Sequence, residues 1–248
     1  MTRLIPILAT LALGFTAAGA AAQEPLMPDT IRYALGWDNP ASQLYTVQVT
    51  ARAAGEPVVF SLPAWRPGRY ILQNYAANVQ AVRAQDEAGR PLPVEWLDLD
   101  SWRVDPAAAK TVTLAYEYYA AVFDAGSSTL RPDLAYFNPV NLLPWVEGRI
   151  DHPVTLRLAA PNDWDVATQL DRRRGRHVFG APDYHALADA PTIAAPKLTA
   201  WEFTLDEVPY HVVFRGNLDL GEHERGDVIR DLRAIAREQT ALFGGAPF

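Results

Sequence analysis

Apolar and polar residues alternate with a period of two along most of this chain. In "IRYALGW", Ile31, Tyr33, Leu35 and Trp37 share one face. In "LYTVQVTA", Tyr45, Val47 and Val49 point one way while Thr46, Gln48 and Thr50 point the other. "KTVTLAYEYYAAV" repeats the pattern with Val112, Leu114, Tyr116 and Tyr118, and "VTLRLAAP", "LTAWEFTL" and "YHVVFRG" continue it. Such alternation marks half-buried antiparallel strands, because successive side chains leave a strand on opposite faces. The turn signals "AAGEP", "DEAGRP" and "RRRGRH" separate the strands. About ten short strands with no helix between them predict a mostly β fold, an antiparallel sandwich or saddle.

Three stretches break the pattern. Near the end, Val228, Ile229, Leu232, Ile235, Ala236, Gln239 and Leu242 fall at helical spacing, closed by Gly244-Gly245. This predicts one C-terminal amphipathic helix. Residues 123–151 form a connection between strong strands that is long for a segment without a role. The third stretch, "LPAWRPGRYILQNYA", contains Pro63, Trp65, Pro67, Gly68 and Tyr70. Pro67-Gly68 sets a fixed bend, and Trp65 and Tyr70 are large enough to wedge between sheets. The same bend could instead present Arg66 or Arg69 to a partner domain.

The first residues change the picture of where the protein works. Arg3 precedes an apolar run from Leu4 to Phe15, and Ala20-Ala21-Ala22 fits a small-residue cleavage site before Gln23. That is the pattern of a secretory signal peptide over residues 1–22. The run, at roughly 12 residues, is short of the ~20 a membrane span needs. No Cys follows it to carry a lipid. Export to the periplasm or beyond is expected, with no membrane span after cleavage.

Arg3 is the only charge in residues 1–22, which leaves 21 Lys and Arg against 29 Asp and Glu, a net charge of −8. An acidic surface argues against nucleic acid as a partner. The chain has no cysteine, so its core must hold it together, and 49% apolar content is ample for that.

Chemistry is sparse. "HERGD" at 223–227 approaches the zinc motif H-E-x-x-H, but Asp227 stands where the second His belongs, and Gly226 weakens the helix. It reads as a helix first turn carrying acidic residues that suit the dipole. His185 lies between Asp183 and Asp189, as a ligand cluster or as a capped turn. "LDRRRGRHVF" reads as a solvated hairpin tip. Ser127-Ser128 are on no nucleophile elbow. No metal or cofactor is assigned to this chain.

Taken together, several segments resemble a known domain. "LPAWRPGRYILQNYAANV" resembles the P-x-W-x-P-G-x-Y signature of the amino-terminal domain of the glycyl aminopeptidase family of zinc metallopeptidases. "LDSWRV", "VTLAYEYYA", "PNDWDVAT", "DYHALADAPTI" and the closing "FGGAPF" follow in that domain's order, so the resemblance covers roughly residues 30–248. It implies a β-rich domain ahead of a thermolysin-like catalytic domain whose zinc sits on an H-E-x-x-H helix. None of those ligands has a counterpart here.

The expected organisation is therefore a signal peptide (1–22), a β-rich domain (23–217) and a linking helix that starts a truncated catalytic domain (218–248). The chain is expected to be inactive alone, with the catalytic domain as partner, peptide as the substrate of the whole enzyme, and zinc in the catalytic domain. Within the connection at 123–151, Tyr136, Asn138 and Asn141 offer hydroxyl and amide groups to a peptide amine or carbonyl and are expected to face the substrate. The prolines at 132, 139 and 144 would limit the entropy lost on ordering. The rival reading is a stand-alone periplasmic β-sandwich that binds a ligand. An exposed apolar face on the terminal helix would argue for a neighbouring domain, and a covered one for self-sufficiency.

Overall fold

The computed structural model of the protein describes residues 29–216 and 218–245, so the expected signal peptide lies outside the described residues. In chain order the strands are β1 (Ile31–Gly36), β2 (Leu44–Arg52), β3 (Val58–Ser61), β4 (Val79–Asp86), β5 (Pro91–Leu92), β6 (Val94–Trp96), β7 (Ser101–Val104), β8 (Thr111–Tyr119) and β9 (Thr129–Arg131). They continue as β10 (Leu134–Phe137), β11 (Trp145–Val146), β12 (Val154–Leu158), β13 (Asp165–Ala167), β14 (Asp171–Arg172), β15 (Val178–Ala181), β16 (Thr192–Ala195), β17 (Leu198–Leu205) and β18 (Val208–Arg215). The helices are α1 (Pro139–Leu142), α2 (Tyr184–Ala188) and α3 (Glu222–Leu242).

The longest pairing joins β2 and β8, with Tyr45 opposite Tyr118, Val47 opposite Tyr116 and Val49 opposite Leu114. All six side chains are buried on one face, as the alternation in each strand requires. These strands lie in the middle of an eight-stranded sheet ordered β14-β15-β12-β1-β2-β8-β4-β5. A four-stranded sheet, β11-β3-β7-β6, shares its core. There Trp102 of β7 stands 5.7 Å from Tyr116 of β8. A third sheet, β13-β16-β10-β9, closes the core through Phe137, 5.9 Å from Tyr45. The mostly β fold with one long C-terminal helix is thus as expected.

Two details differ from a purely antiparallel, helix-free sheet set. β1 pairs with β12 in parallel, Ile31 opposite Val154, which seals the open side of β1 with a strand from far along the chain. Short helices α1 and α2 punctuate the strands. α2 begins at Asp183, whose carboxylate accepts the Ala186 amide at 2.8 Å. His185 therefore belongs to a capped helical turn, one of its two sequence readings.

The connection at 123–151 is not a bare loop. It contains β9, β10, α1 and β11. Three tyrosines, from β1, β8 and the start of α2, grip its second half. The hydroxyls of Tyr116, Tyr184 and Tyr33 donate to the consecutive carbonyls of Leu142 (2.5 Å), Leu143 (2.7 Å) and Pro144 (2.8 Å). Burial pushes all three phenols up from their ordinary range, so they stay neutral donors.

"LDRRRGRHVF" forms the β14–β15 hairpin, but His177 is buried rather than solvated. Its backbone carbonyl accepts the Leu158 amide at 2.9 Å, which draws the residue under the sheet edge.

Candidate functional site

The corner at Pro63–Tyr75 is a closed loop. The amide of Gln73 donates to the carbonyl of Ala64 at 2.7 Å and shuts its base. At its tip the Arg69 amide donates to the Arg66 carbonyl at 3.3 Å, with Pro67 and Gly68 between them. Gly68 has φ +82°, a conformation that suits glycine and completes a type II turn after proline. The hydroxyl of Tyr75 donates to Gln73 at 2.6 Å and secures the far end. The fixed bend read from Pro67-Gly68 is present.

The wedge read from Trp65 and Tyr70 is not. Trp65 is 47% exposed and Tyr70 83% exposed, and Ile71 and Leu72 are exposed beside them. The two rings tilt toward each other with centroids 6.3 Å apart, outside the core. The loop closes on its own backbone before any of these side chains reaches a sheet, and Trp102 fills the core site instead. Pro63 is half-buried at the base, while Pro67 and Gly68 are exposed at the tip.

The second sequence candidate meets the first here. The guanidinium of Arg66 lies on Gly126, where any side chain would overlap it. The turn carrying Gly126 is fastened from several sides. Asp124 accepts the amides of Gly126 (2.8 Å) and Ser127 (2.7 Å). Its carbonyls accept from side chains in turn: Ala125 from Tyr136 at 2.9 Å and Asn138 at 3.3 Å, Gly126 from Asn141 at 3.1 Å, and Ser127 from Asn138 at 2.8 Å. Thr129 accepts from Tyr45 at 3.0 Å.

The structure thus places Tyr136, Asn138 and Asn141, expected from the sequence to face a substrate, in hydrogen bonds to this turn. Asn138 and Asn141 are buried, and their amide donors are spent on the turn. Tyr136 is half-buried and bonded to the same turn. They hold the floor on which Arg66 rests. Nothing in the sequence pattern shows that three polar side chains would turn inward to replace missing strand pairing.

The exposed face of this composite corner carries Trp65, Tyr70, Ile71 and Leu72, with Arg66 and Arg69 among them. Both arginines act on Tyr75, where burial pushes the phenol up against their lowering charge. Asp124 is held below the usual carboxylate range, first by its bonds to Ser127 and Gly126, with Arg69 adding to the effect.

Comparison with known families decides where this architecture belongs: residues 32–196 match the Peptidase M61 N-terminal domain. The chain belongs to the peptidase M61 N-terminal domain family. The amino-terminal metallopeptidase domain expected from the Pro63–Tyr70 signature is therefore the right one. An aminopeptidase N family protein from Idiomarina loihiensis is 29% identical and superimposes with a TM-score of 0.77 over 88% of this chain. An M1 zinc metallopeptidase from Deinococcus radiodurans, solved as a mutant with a Tyr-Ser-Ala substrate, is 16% identical over 79% of this chain, with a TM-score of 0.40. This chain spans 38% of the first protein and 51% of the second. No curated protein matches.

Within the M61 domain the corner lies inside the matched segment, whereas β17, β18 and α3 lie beyond it. Here, among the described residues, β17 and β18 pair only with each other. α3 rests on this hairpin through Arg225 over Trp201 (5.4 Å) and Arg233 over Phe203 (5.5 Å). None of its residues is buried, and Ile235 and Leu242 stand in solvent. "HERGD" forms its first turn. The amide of Gly221 donates to Glu224 at 3.0 Å, and Asp227 pairs with Arg230 and lies 3.6 Å from His223. Among the described residues, no group of three or more His, Cys, Asp or Glu side chains is gathered to hold a metal. No helix among them is long and apolar enough to cross a membrane.

Proposed function

We propose that this chain serves as the non-catalytic amino-terminal domain of an exported zinc aminopeptidase, walling one side of its substrate cleft. The observation that carries this reading is the corner at Pro63–Tyr75. Its backbone is locked at tip and base, yet it holds four large apolar side chains in water, an arrangement that suits a surface built for a neighbour. The M61 match supports the peptidase assignment. The span of 38% of an aminopeptidase N family protein supports a second domain beside this one. The exposed outer face of α3 favours the same arrangement over a free-standing binding module.

In this reading zinc, its ligands and the general base belong to the catalytic domain. This domain contributes shape: a rigid wall that admits a chain end and turns away the middle of a folded polypeptide. Export rests on the leader pattern from Arg3 to Ala22.

The test compares this chain with the protein that carries both domains, by metal analysis after dialysis and by a glycyl-anilide assay. The two-domain protein should hold zinc one-to-one and release aniline, and this chain should do neither. Tight stoichiometric zinc with turnover by this chain alone would overturn the reading. Recovery from the cytosol with Met1 and the leader retained would overturn export.

A further inference from the structure

The composite corner holds more positive charge than its surroundings neutralise. Asp124 is the carboxylate that acts on Arg69, and its Oδ1 is already committed to the amides of Gly126 and Ser127. Arg69 is exposed at the tip of the loop and makes no salt bridge among the described residues. Arg66 lies behind it on Gly126, with its Nε buried and lacking an acceptor. In sequence Trp65 and Tyr70 flank the pair, and their exposed rings stand 6.3 Å apart.

A guanidinium presents parallel N–H donors that match a carboxylate, and a ring pair beside it offers an apolar wall. We propose that this shelf is a subsite for the free terminal carboxylate of a short peptide, with Arg69 as the contacting cation, Arg66 as its positioning neighbour, and Trp65 and Tyr70 against the last side chain. The proposal rests on the aminopeptidase reading above and adds a substrate class: short peptides with a free carboxyl end.

The experiment uses the protein carrying both domains and a matched pair of substrates, Gly-Ala-Phe as the free acid and as its terminal amide. The wild type should favour the acid in kcat/KM. Arg69→Gln should lower the acid-to-amide ratio roughly tenfold, the scale of one charged hydrogen-bonded contact, with the loss in KM. Arg69→Lys should restore part of it. An unchanged ratio in Arg69→Gln, or an equal fall for both peptides as at a domain contact, overturns the subsite and leaves the aminopeptidase reading standing. A two-domain protein that cleaves neither peptide overturns both.

Discussion

The guanidinium of Arg66 occupies the space that a side chain at Gly126 would need. Sixty residues apart in sequence, the two bind the loop at Pro63–Tyr75 to the turn at Asp124–Ser127. Gly126 is needed here for clearance, since its backbone lies outside the left-handed region. One contact thus converts two separate surface features into a single rigid corner.

Trp65 and Trp102 should respond very differently to truncation. Trp102 is fully buried between two sheets, so Trp102→Ala should cost about 3–5 kcal/mol. Trp65 is about half exposed, so Trp65→Ala should cost less than about 1 kcal/mol. Urea unfolding of the two variants measures both, and equal losses would place Trp65 in the core after all.

Asn138 and Asn141 should matter for stability before they matter for kinetics. Asn141→Ala leaves the Gly126 carbonyl without its buried donor, and Asn138→Ala does the same to Ser127. Each should destabilise by about 1–3 kcal/mol. Faster amide exchange at Gly126 and Ser127 should accompany the loss. Thermal melts that match the wild type in both variants would return these side chains to a substrate-facing role.

His177 gives the fold a pH dependence with a definite sign. Burial holds its imidazole below the ordinary value, helped by the charges of Arg176 and Arg172 and opposed by hydrogen bonds to the carbonyls of Trp164 and Ala160. The unfolded chain therefore takes up a proton first. Stability from this group is present above about pH 6.5, the ordinary histidine value, and falls away as the pH drops below it. Melting temperature should decline from pH 7 to pH 5, and His177→Asn, which tolerates the φ of +54° at this position, should flatten the decline. An identical pH slope in the variant would assign the decline elsewhere.

The sheets were legible because their signal is local. Alternation in Ile31–Leu35, Tyr45–Val49 and Val112–Tyr118 places each side chain on its face whatever the partner strand is. The terminal helix was legible for the same reason, and Asp183 before Tyr184 is an ordinary cap. The site was less legible because its determinants are non-local. Trp65 has the size and neighbours of a core residue, and only the closure of Ala64 onto Gln73 keeps it outside. Asn138 and Asn141 look like free polar groups in a proline-rich connection. They are consumed because β9 and β10 leave the carbonyls of 125–127 without strand partners, which no short-range pattern announces. The parallel pairing of β1 with β12 is likewise invisible to a reading of either strand alone.

The three tyrosines that grip Leu142, Leu143 and Pro144 also set a condition on folding order. Their donors come from β1, β8 and the start of α2, so the clamp closes a loop of 111 residues on one side and 41 on the other. A nascent chain that has passed Pro144 already holds two of the donors, but the third arrives only with Tyr184. Until then the Leu143 carbonyl has no donor for a position that becomes fully buried. The segment therefore acts as a check on completeness: polypeptides that stop short of Tyr184 keep an unmet polar group at the centre of the molecule, and they should be the species that proteases clear first.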